Sequence, residues 1–334
     1  MPVNNVIIFL FHKEDITLKY LKIIFFNFIL LTILFFIADF SFYAYMYKRD
    51  FNLNMMQALR TYGNSFQIRY FDDLYEGYKK TDYFPDRIFK NTKHNKKRPL
   101  LIFGCSFGYG WLLKKEQSFS YKLAELTGRD VYNRSVAGLG LQYFPYILET
   151  TDIEKEINNP EYIIFVFIEN HVDRLFRFYN DETNPNPDIQ YKRTKDGKSL
   201  QINKNPLWYS GGAAYFAICR NLMNTGSRRW ISTRPFDEKF DYIKEYFIYA
   251  KQIANKKFPN SKLVILQYEE NNNSPFNDSP RWKELEQEGY IVLNSLELTQ
   301  KHLSEQEYKT YDKIHPNEQA WDILTPKVAE KLKL

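Results

Sequence analysis

The sequence predicts an α/β domain built on a mostly parallel five-stranded sheet wrapped on both sides by helices, with one transmembrane helix ahead of it. Three observations carry this. From residue 99 onward, short apolar runs alternate with amphipathic helical stretches, and strands that alternate with helices imply parallel pairing. Runs such as "EYIIFVFI" (161–168) are apolar throughout, as expected of strands covered on both faces. Near the N-terminus, "IIFFNFILLTILFFIADFSFYAY" (23–45) exceeds the roughly 20 residues that cross a bilayer.

The apolar stretch comes first in the chain. No amphipathic period breaks it, so it reads as a span and not as one face of a core helix. Asn27 and Thr32 are tolerable within it, and Asp39 lies toward its far end, where it is expected to reach the headgroups. The run is too long for a removable signal peptide and no small-x-small cleavage site follows it. Lys13, Lys19 and Lys22 precede the span and Lys48 and Arg49 follow it, a slight bias toward a cytoplasmic N-terminus. The expected organisation is a cytoplasmic segment (1–22), a transmembrane helix (23–45), a stalk or lead-in (46–97) and a main domain (98–334) on the extracytoplasmic side.

Within the main domain, "PLLIFGC" (99–105) is the first strand. "SFSYKLAELTG" (118–128) is an amphipathic helix with Ser118 to cap its start and Gly128 its end. "DVYNRS" (130–135) is the second strand; 141–157 is helical, interrupted at Pro145 and again near Thr150; 161–168 is the third strand. An insertion of irregular composition follows at about 174–236, with a hairpin expected at Asp196-Gly197 and a helix after the glycines of "SGGAAYFAICRNLM" (210–223). Then come a long amphipathic helix (237–258), a fourth strand (262–268), a helix (281–289), a fifth strand (290–296) and a last helix from about Pro316 to Lys333. The lead-in stretch "DYFPDRIF" reads as an extended approach.

Composition narrows the function classes. At 44% hydrophobic, 18% aromatic and 26% charged residues the chain is not disordered. Its 46 Lys and Arg are scattered among 40 acids, the one dense run, 93–98, reads as a solvated linker, and no nucleic-acid partner is expected. Two cysteines, Cys105 and Cys219, make neither a disulfide framework nor a metal site and read as small buried hydrophobes.

Chemistry is expected where the strands end, because doubly wound sheets bind ligands at their carboxyl edge. After the first strand comes Ser106 in "GCSFGYG"; after the second, Gly138 in "NRSVAGLG"; after the third, Asn170 in "ENH"; after the fifth, Asp312 and His315 in "YDKIHPNEQAW". A serine hydroxyl needs a base to take its proton. His315 suits that role, with Asp312 three residues earlier to hold the other ring nitrogen. Pro316 fits the first position of the following helix, where no N–H is needed. The Ser106 and Gly138 amides and the Asn170 side chain would then form an oxyanion hole, each donor worth roughly 3–4 kcal/mol. His12, His94 and His302 have no such setting and read as solvent or packing residues.

This order resembles the SGNH (GDSL-like) hydrolase family, in its membrane-anchored bacterial type. "IFGCSFGYG" is similar to the first block, with Cys105 where Asp is common; "NRSVAGLG" to the second, with Gly138 at the block's glycine; "YDKIHPNEQAW" to the last, including the His-Pro step. The third block departs: the usual Gly-x-Asn-Asp reads Ile168-Glu169-Asn170-His171, with Asn170 at the oxyanion position. The resemblance covers residues 98–334. It implies a three-layer α/β/α sandwich of flavodoxin-like SGNH type and a serine esterase or acyl-transfer activity without metal or cofactor.

The expected protein is therefore a membrane-anchored esterase that removes O-acyl groups, foremost O-acetyl, from a carbohydrate. Substrate would be lined by His171 and by Trp208 and Trp230 of the insertion. Two rivals use the same residues: an O-acetyltransferase acting on a cell-surface glycan with a membrane acyltransferase as partner, and a catalytically inactive glycan-binding relative.

Overall fold

In the computed structural model the described residues are 3–51, 87–89, 97–177, 179–181, 184–187, 191–193, 200–202 and 216–334. Six strands make the main sheet. Four come early in the chain: β1 (Arg87–Phe89), β2 (Leu100–Gly104), β3 (Val131–Asn133) and β4 (Tyr162–Phe167). The insertion then contributes two small two-stranded sheets, β5 (Tyr179–Asp181) with β6 (Asn184–Pro187) and β7 (Tyr191–Arg193) with β8 (Leu200–Ile202). The main sheet resumes with β9 (Lys262–Gln267) and β10 (Tyr290–Asn294). Its order is β1-β3-β2-β4-β9-β10. All neighbours run parallel except β1, which pairs antiparallel with β3, Ile88 opposite Tyr132. The five expected strands are thus the parallel ones. β1 is an addition: the stretch read as an extended approach closes the sheet edge.

The uniformly apolar strands still sort their residues by period 2. Leu101, Phe103, Ile163, Phe165, Phe167, Leu263 and Ile265 pack on one face with the helices Tyr143–Thr150, Phe236–Lys257 and Trp282–Gln287. Leu100, Ile102, Ile164, Val166, Val264, Leu266 and Leu293 pack on the other with Phe119–Thr127 and Glu318–Leu332. Both faces are covered, which is why no polar alternation is legible in the strands.

Chain order and sheet order together fix where a site can form. β2 leads to β3 on one side, whereas the chain returns to β4 on the other side of β2. The segments leaving β2 and β4 at their carboxyl ends therefore diverge, and the crevice at this switch point is where doubly wound sheets place ligands.

Several local expectations are refined. The helix Phe119–Thr127 ends at Gly128 (φ 67°), but the Ser118 hydroxyl donates to the Lys115 carbonyl at 2.7 Å instead of capping it. Pro145 sits in the first turn of Tyr143–Thr150 and does not interrupt it, since a missing N–H costs nothing there. The last helix begins at Glu318, with Asn317 as its cap, accepting from the Ala320 amide at 3.1 Å. Pro316 lies outside the helix and forms an antiparallel bridge with Lys309. In the insertion, β7 and β8 pair antiparallel, and the turn expected at Asp196-Gly197 falls outside the described residues. The expected helix of the insertion is Ala217–Ser232.

The chain divides into two compact units: Met1–Ile68 with Asp181–Pro185 and Gly211–Leu222, and the remainder. In the first, Val3–Phe51 is one continuous helix, and its stretch Leu18–Tyr45 is long and apolar enough to cross a membrane. Asp39 lies toward the end of this stretch. It is fully buried, and its carboxylate accepts the Ile218 amide at 2.9 Å.

Candidate active site

The β2 strand ends in Gly104, and the helix Ser106–Tyr109 begins at once, so Ser106 occupies its first position at the carboxyl edge of the sheet. Gly108 permits this placement. A methyl group there would lie 2.6 Å from the Ser135 hydroxyl, on the segment that follows β3. Asn133, buried at the end of β3, ties the two segments by donating to the Gly108 carbonyl at 2.8 Å while accepting the Ser135 amide at 2.9 Å.

The Ser106 Oγ lies 2.8 Å from the His315 Nε2, and the His315 Nδ1 lies 2.5 Å from the Asp312 Oδ2. An ionised carboxylate only accepts, so Nδ1 carries the imidazole proton and Nε2 is left to accept from the serine. Ser106 is buried, and His315 and Asp312 are largely so, with side-chain exposures of 15% and 23%.

The loop that holds His315 is built from its own backbone. The other Asp312 oxygen accepts from the Thr310 hydroxyl (2.6 Å) and from the Ile314 (2.9 Å) and His315 (3.1 Å) amides. Lys313, between them, takes a left-handed conformation (φ 62°). The Thr310 amide donates to the His315 carbonyl at 2.8 Å, and the Asn317 side chain donates to the Glu307 and Lys309 carbonyls. The Phe107 ring packs against the imidazole at 5.4 Å. Burial pushes the Asp312 carboxyl up, but the bonds from Thr310, His315 and the two amides outweigh it and hold the group well below the usual range. Asp312 is therefore ionised beside His315 across the physiological range.

Gly138 follows β3 with φ 80°, a conformation open to glycine at little cost. Its loop is clasped to the segment after β4: the Arg177 guanidinium donates to the Gly138 carbonyl at 2.8 Å and Arg174 to the Leu139 carbonyl at 3.0 Å. Asn170 opens the helix Asn170–Arg174 directly after β4 and is exposed. Its backbone amide donates to Glu270 at 3.0 Å, and its side chain also bonds that carboxyl, so an oxyanion would have to draw the side chain away from Glu270.

Beside Asn170 lies a cavity of about 330 Å³ whose lining includes Glu169, Asn170, Asp173, Lys239, Glu270 and Asn271. Burial raises the Glu270 carboxyl above its ordinary value, against the opposing bond from Asn170 and the charge of Arg174. Among the described residues, no group of three or more His, Cys, Asp or Glu side chains could hold a metal ion.

The expected substrate-lining residues fare differently. His171 is fully buried: its Nδ1 accepts the Ile168 amide at 3.1 Å, and its ring packs on Phe165 and Phe167. Burial, aided by Arg174, drives its basicity well below the ordinary imidazole value. It is a neutral core residue and not a substrate contact, because the helix starting at Asn170 turns the next position inward. Trp230 is 39% exposed, with the Arg234 guanidinium over its ring at 4.2 Å and Phe176 packed against it, so it offers no open stacking face on that side. Trp208 lies outside the described residues. Cys105 is buried and free, and Cys219 is half-buried and free.

Sequence reading also missed residues. His302, taken as isolated, has its Nδ1 2.8 Å from an oxygen of buried Glu269. Asn133, Ser135 and Glu270 sit two to three residues past the strands or at their last position, a placement that could have marked them.

No protein-family model and no curated protein sequence matches the chain. Solved structures do show likenesses. One is TesA, at 16% identity over 71% of this chain and 98% of that chain, TM-score 0.37. Another is a lipolytic protein of the G-D-S-L family from Veillonella parvula, at 10% identity over 71% and 99%, TM-score 0.41. A third is a catalytic mutant of Axe2, an acetylxylan esterase from Geobacillus stearothermophilus, at 14% identity over 73% and 97%, TM-score 0.40. Likenesses of this size assign neither a family nor an activity.

Proposed function

We propose that this chain is a serine esterase that works through an acyl-enzyme, anchored in a membrane by Leu18–Tyr45. One observation carries the reading: the unbroken hydrogen-bond chain from the Ser106 hydroxyl through His315 to the Asp312 carboxylate, at the switch point of a doubly wound sheet. In the proposed reaction the Ser106 Oγ attacks the ester carbonyl while its proton passes to His315 Nε2. The C–O bond to the alcohol then breaks, and His315 returns the proton to the departing oxygen. Water attacks the acyl-serine, His315 takes its proton, and the carboxylic acid leaves with Ser106 restored. Asp312 stays ionised and stabilises the imidazolium in both halves.

The Ser106 and Gly138 amides and the Asn170 side-chain amide are the proposed donors to the oxyanion. The proposed substrate is an O-acyl, foremost O-acetyl, ester of a carbohydrate; the resemblance of the Ser106 and Asp312–His315 blocks to SGNH hydrolases supports it. The test is hydrolysis of p-nitrophenyl acetate by the detergent-solubilised full chain. Ser106→Ala should abolish the burst of nitrophenol and lower turnover by about 10⁶-fold, as loss of the nucleophile does in other triads. Unchanged turnover in Ser106→Ala removes the mechanism. Adding an oligosaccharide and comparing acid released with acetyl transferred decides between water and a sugar hydroxyl as acceptor.

A further inference from the structure

Asp39 is a carboxylate near the end of the apolar stretch Leu18–Tyr45, and it is fully buried. Its neighbours in that stretch are not: from Leu18 to Ile37, most of the large apolar side chains are exposed. An acid within a membrane span is costly unless a partner satisfies it. The partner here comes from the insertion.

The Asp39 Oδ1 accepts the amide of Ile218, the second residue of the helix Ala217–Ser232. The first four amides of any helix lack an internal acceptor, and the helix's positive end favours an anion. Asp39 therefore caps this helix from another part of the chain. The contact does not stand alone. The Phe216 ring packs edge-on against Phe35 at 4.8 Å and Phe36 at 5.5 Å, and Tyr43, one turn beyond Asp39, is also buried.

These contacts fix a depth. Asp39 lies six residues before Tyr45, the end of the apolar stretch, or about 9 Å at the rise of an α-helix. Phe35 and Phe36 lie deeper still. A segment that touches all three shares their depth. Leu222, at its end, is 65% exposed and suits lipid, while Arg220 is turned fully into the protein.

We propose that Phe216–Leu222 is a second membrane-seated element, entering the leaflet in which the span ends and held there by Asp39. The proposal rests on the reading of Leu18–Tyr45 as a membrane span. The ligand surface it assigns is the boundary between headgroups and acyl chains, and at the start of the helix the Ile218 amide is satisfied by the Asp39 carboxylate instead of by water, as polar backbone at such depth requires.

The chain supplies its own probe. Cys219 is half-buried within the segment, and the other cysteine, Cys105, is fully buried. The full-length protein, labelled at Cys219 with an NBD maleimide and reconstituted in phosphatidylcholine vesicles, is titrated with two sets of lipids, one carrying a nitroxide near the headgroup and one carrying it at the middle of the acyl chain, where Leu31 is reached. Peptide mapping verifies the labelled site. Leu31→Cys, on the exposed face of the span, and Glu330→Cys, exposed on the last helix, serve as lipid and water references in a Cys219→Ala background. The expected result is blue-shifted, nitroxide-quenched emission at Cys219, lost in Asp39→Ala and kept in Asp39→Asn, which retains the accepting oxygen. Quenching at Leu31→Cys with none at Cys219 overturns the proposal while leaving the span in place. No quenching at Leu31→Cys overturns the span and the proposal together. Full quenching at Cys219 in Asp39→Ala overturns the role given to Asp39.

Discussion

Replacing Asp312 by Asn is the most informative single change in the proposed active site. Asp312 makes four hydrogen bonds: three to one oxygen, from Thr310 and the Ile314 and His315 amides, and one between the other oxygen and His315 Nδ1. Asparagine can keep its carbonyl oxygen on the first three, so the turn that carries His315 survives. Its amide NH₂ then faces Nδ1 and can only donate. The imidazole is forced into the other tautomer, with Nε2 protonated and directed at the Ser106 oxygen 2.8 Å away. A protonated Nε2 cannot take the serine's proton.

Loss of the tautomer and of the charge that stabilises the imidazolium should together lower turnover by about 10⁴-fold, the magnitude seen when other triads are altered this way. That corresponds to about 5 kcal/mol in the barrier. Asp312→Ala, by contrast, should also lose the turn, and hence stability. The assay is steady-state hydrolysis of p-nitrophenyl acetate by the full chain in detergent, with the melting temperature measured on the same samples. An Asp312→Asn protein that melts like the parent and retains more than about a tenth of its turnover, a barrier change under about 1.4 kcal/mol, refutes the tautomer argument.

Three further outcomes are expected. Gly108→Ala should cost about 1–3 kcal/mol of stability by overpacking against Ser135 and should lower turnover, with Ser135→Gly restoring both; thermal melts and turnover of the single and double variants check this. Glu270→Ala removes the acceptor of the Asn170 amide and should lower kcat more than it raises KM, whereas Glu270→Gln keeps an acceptor oxygen and should keep most of kcat; equal effects would separate Glu270 from Asn170. The Glu284 carboxyl is held down to about 2 by Arg281 first and then Lys244, against burial. A lowered carboxylate contributes its stability above its unfolded value and loses it as pH falls through the folded one. The melting-temperature gap between the parent and Glu284→Gln should therefore be full at about pH 5 and shrink toward about pH 2; a gap independent of pH contradicts the assignment. The pair is solvated, so the gap is expected to be small, about 0.2–1 kcal/mol.

Why some of this was legible and some not follows from the range of each interaction. The five parallel strands show in the sequence because burial on both faces demands unbroken apolar runs, as in Tyr162–Phe167. Asp312 and His315 show because their partnership is local, three residues across one turn. β1 does not, because Arg87–Phe89 is three residues whose only claim to be a strand is its pairing with β3. His171 was misassigned because sequence places it at a strand end without saying which way the next turn faces. Pro316 was drawn into the helix because the Lys309 bridge that keeps it out is a tertiary contact. Asp39 reads as an awkward polar residue in a span; its partner is 179 residues away in the chain. Asn133 and Glu270 are ordinary polar residues until folding brings them against Gly108 and Asn170.

The central claim is that the Ser106 hydroxyl is activated by His315 in the folded protein. Reaction of the native full chain with a fluorophosphonate, followed by peptide mass mapping, tests it directly, because the probe reports the nucleophile whatever the natural ester is. The account predicts a single phosphonylated serine, Ser106, with labelling nearly abolished in His315→Ala protein that remains folded. Folded parent protein left unmodified at Ser106, or a His315→Ala variant labelled there at the parent's rate, contradicts it.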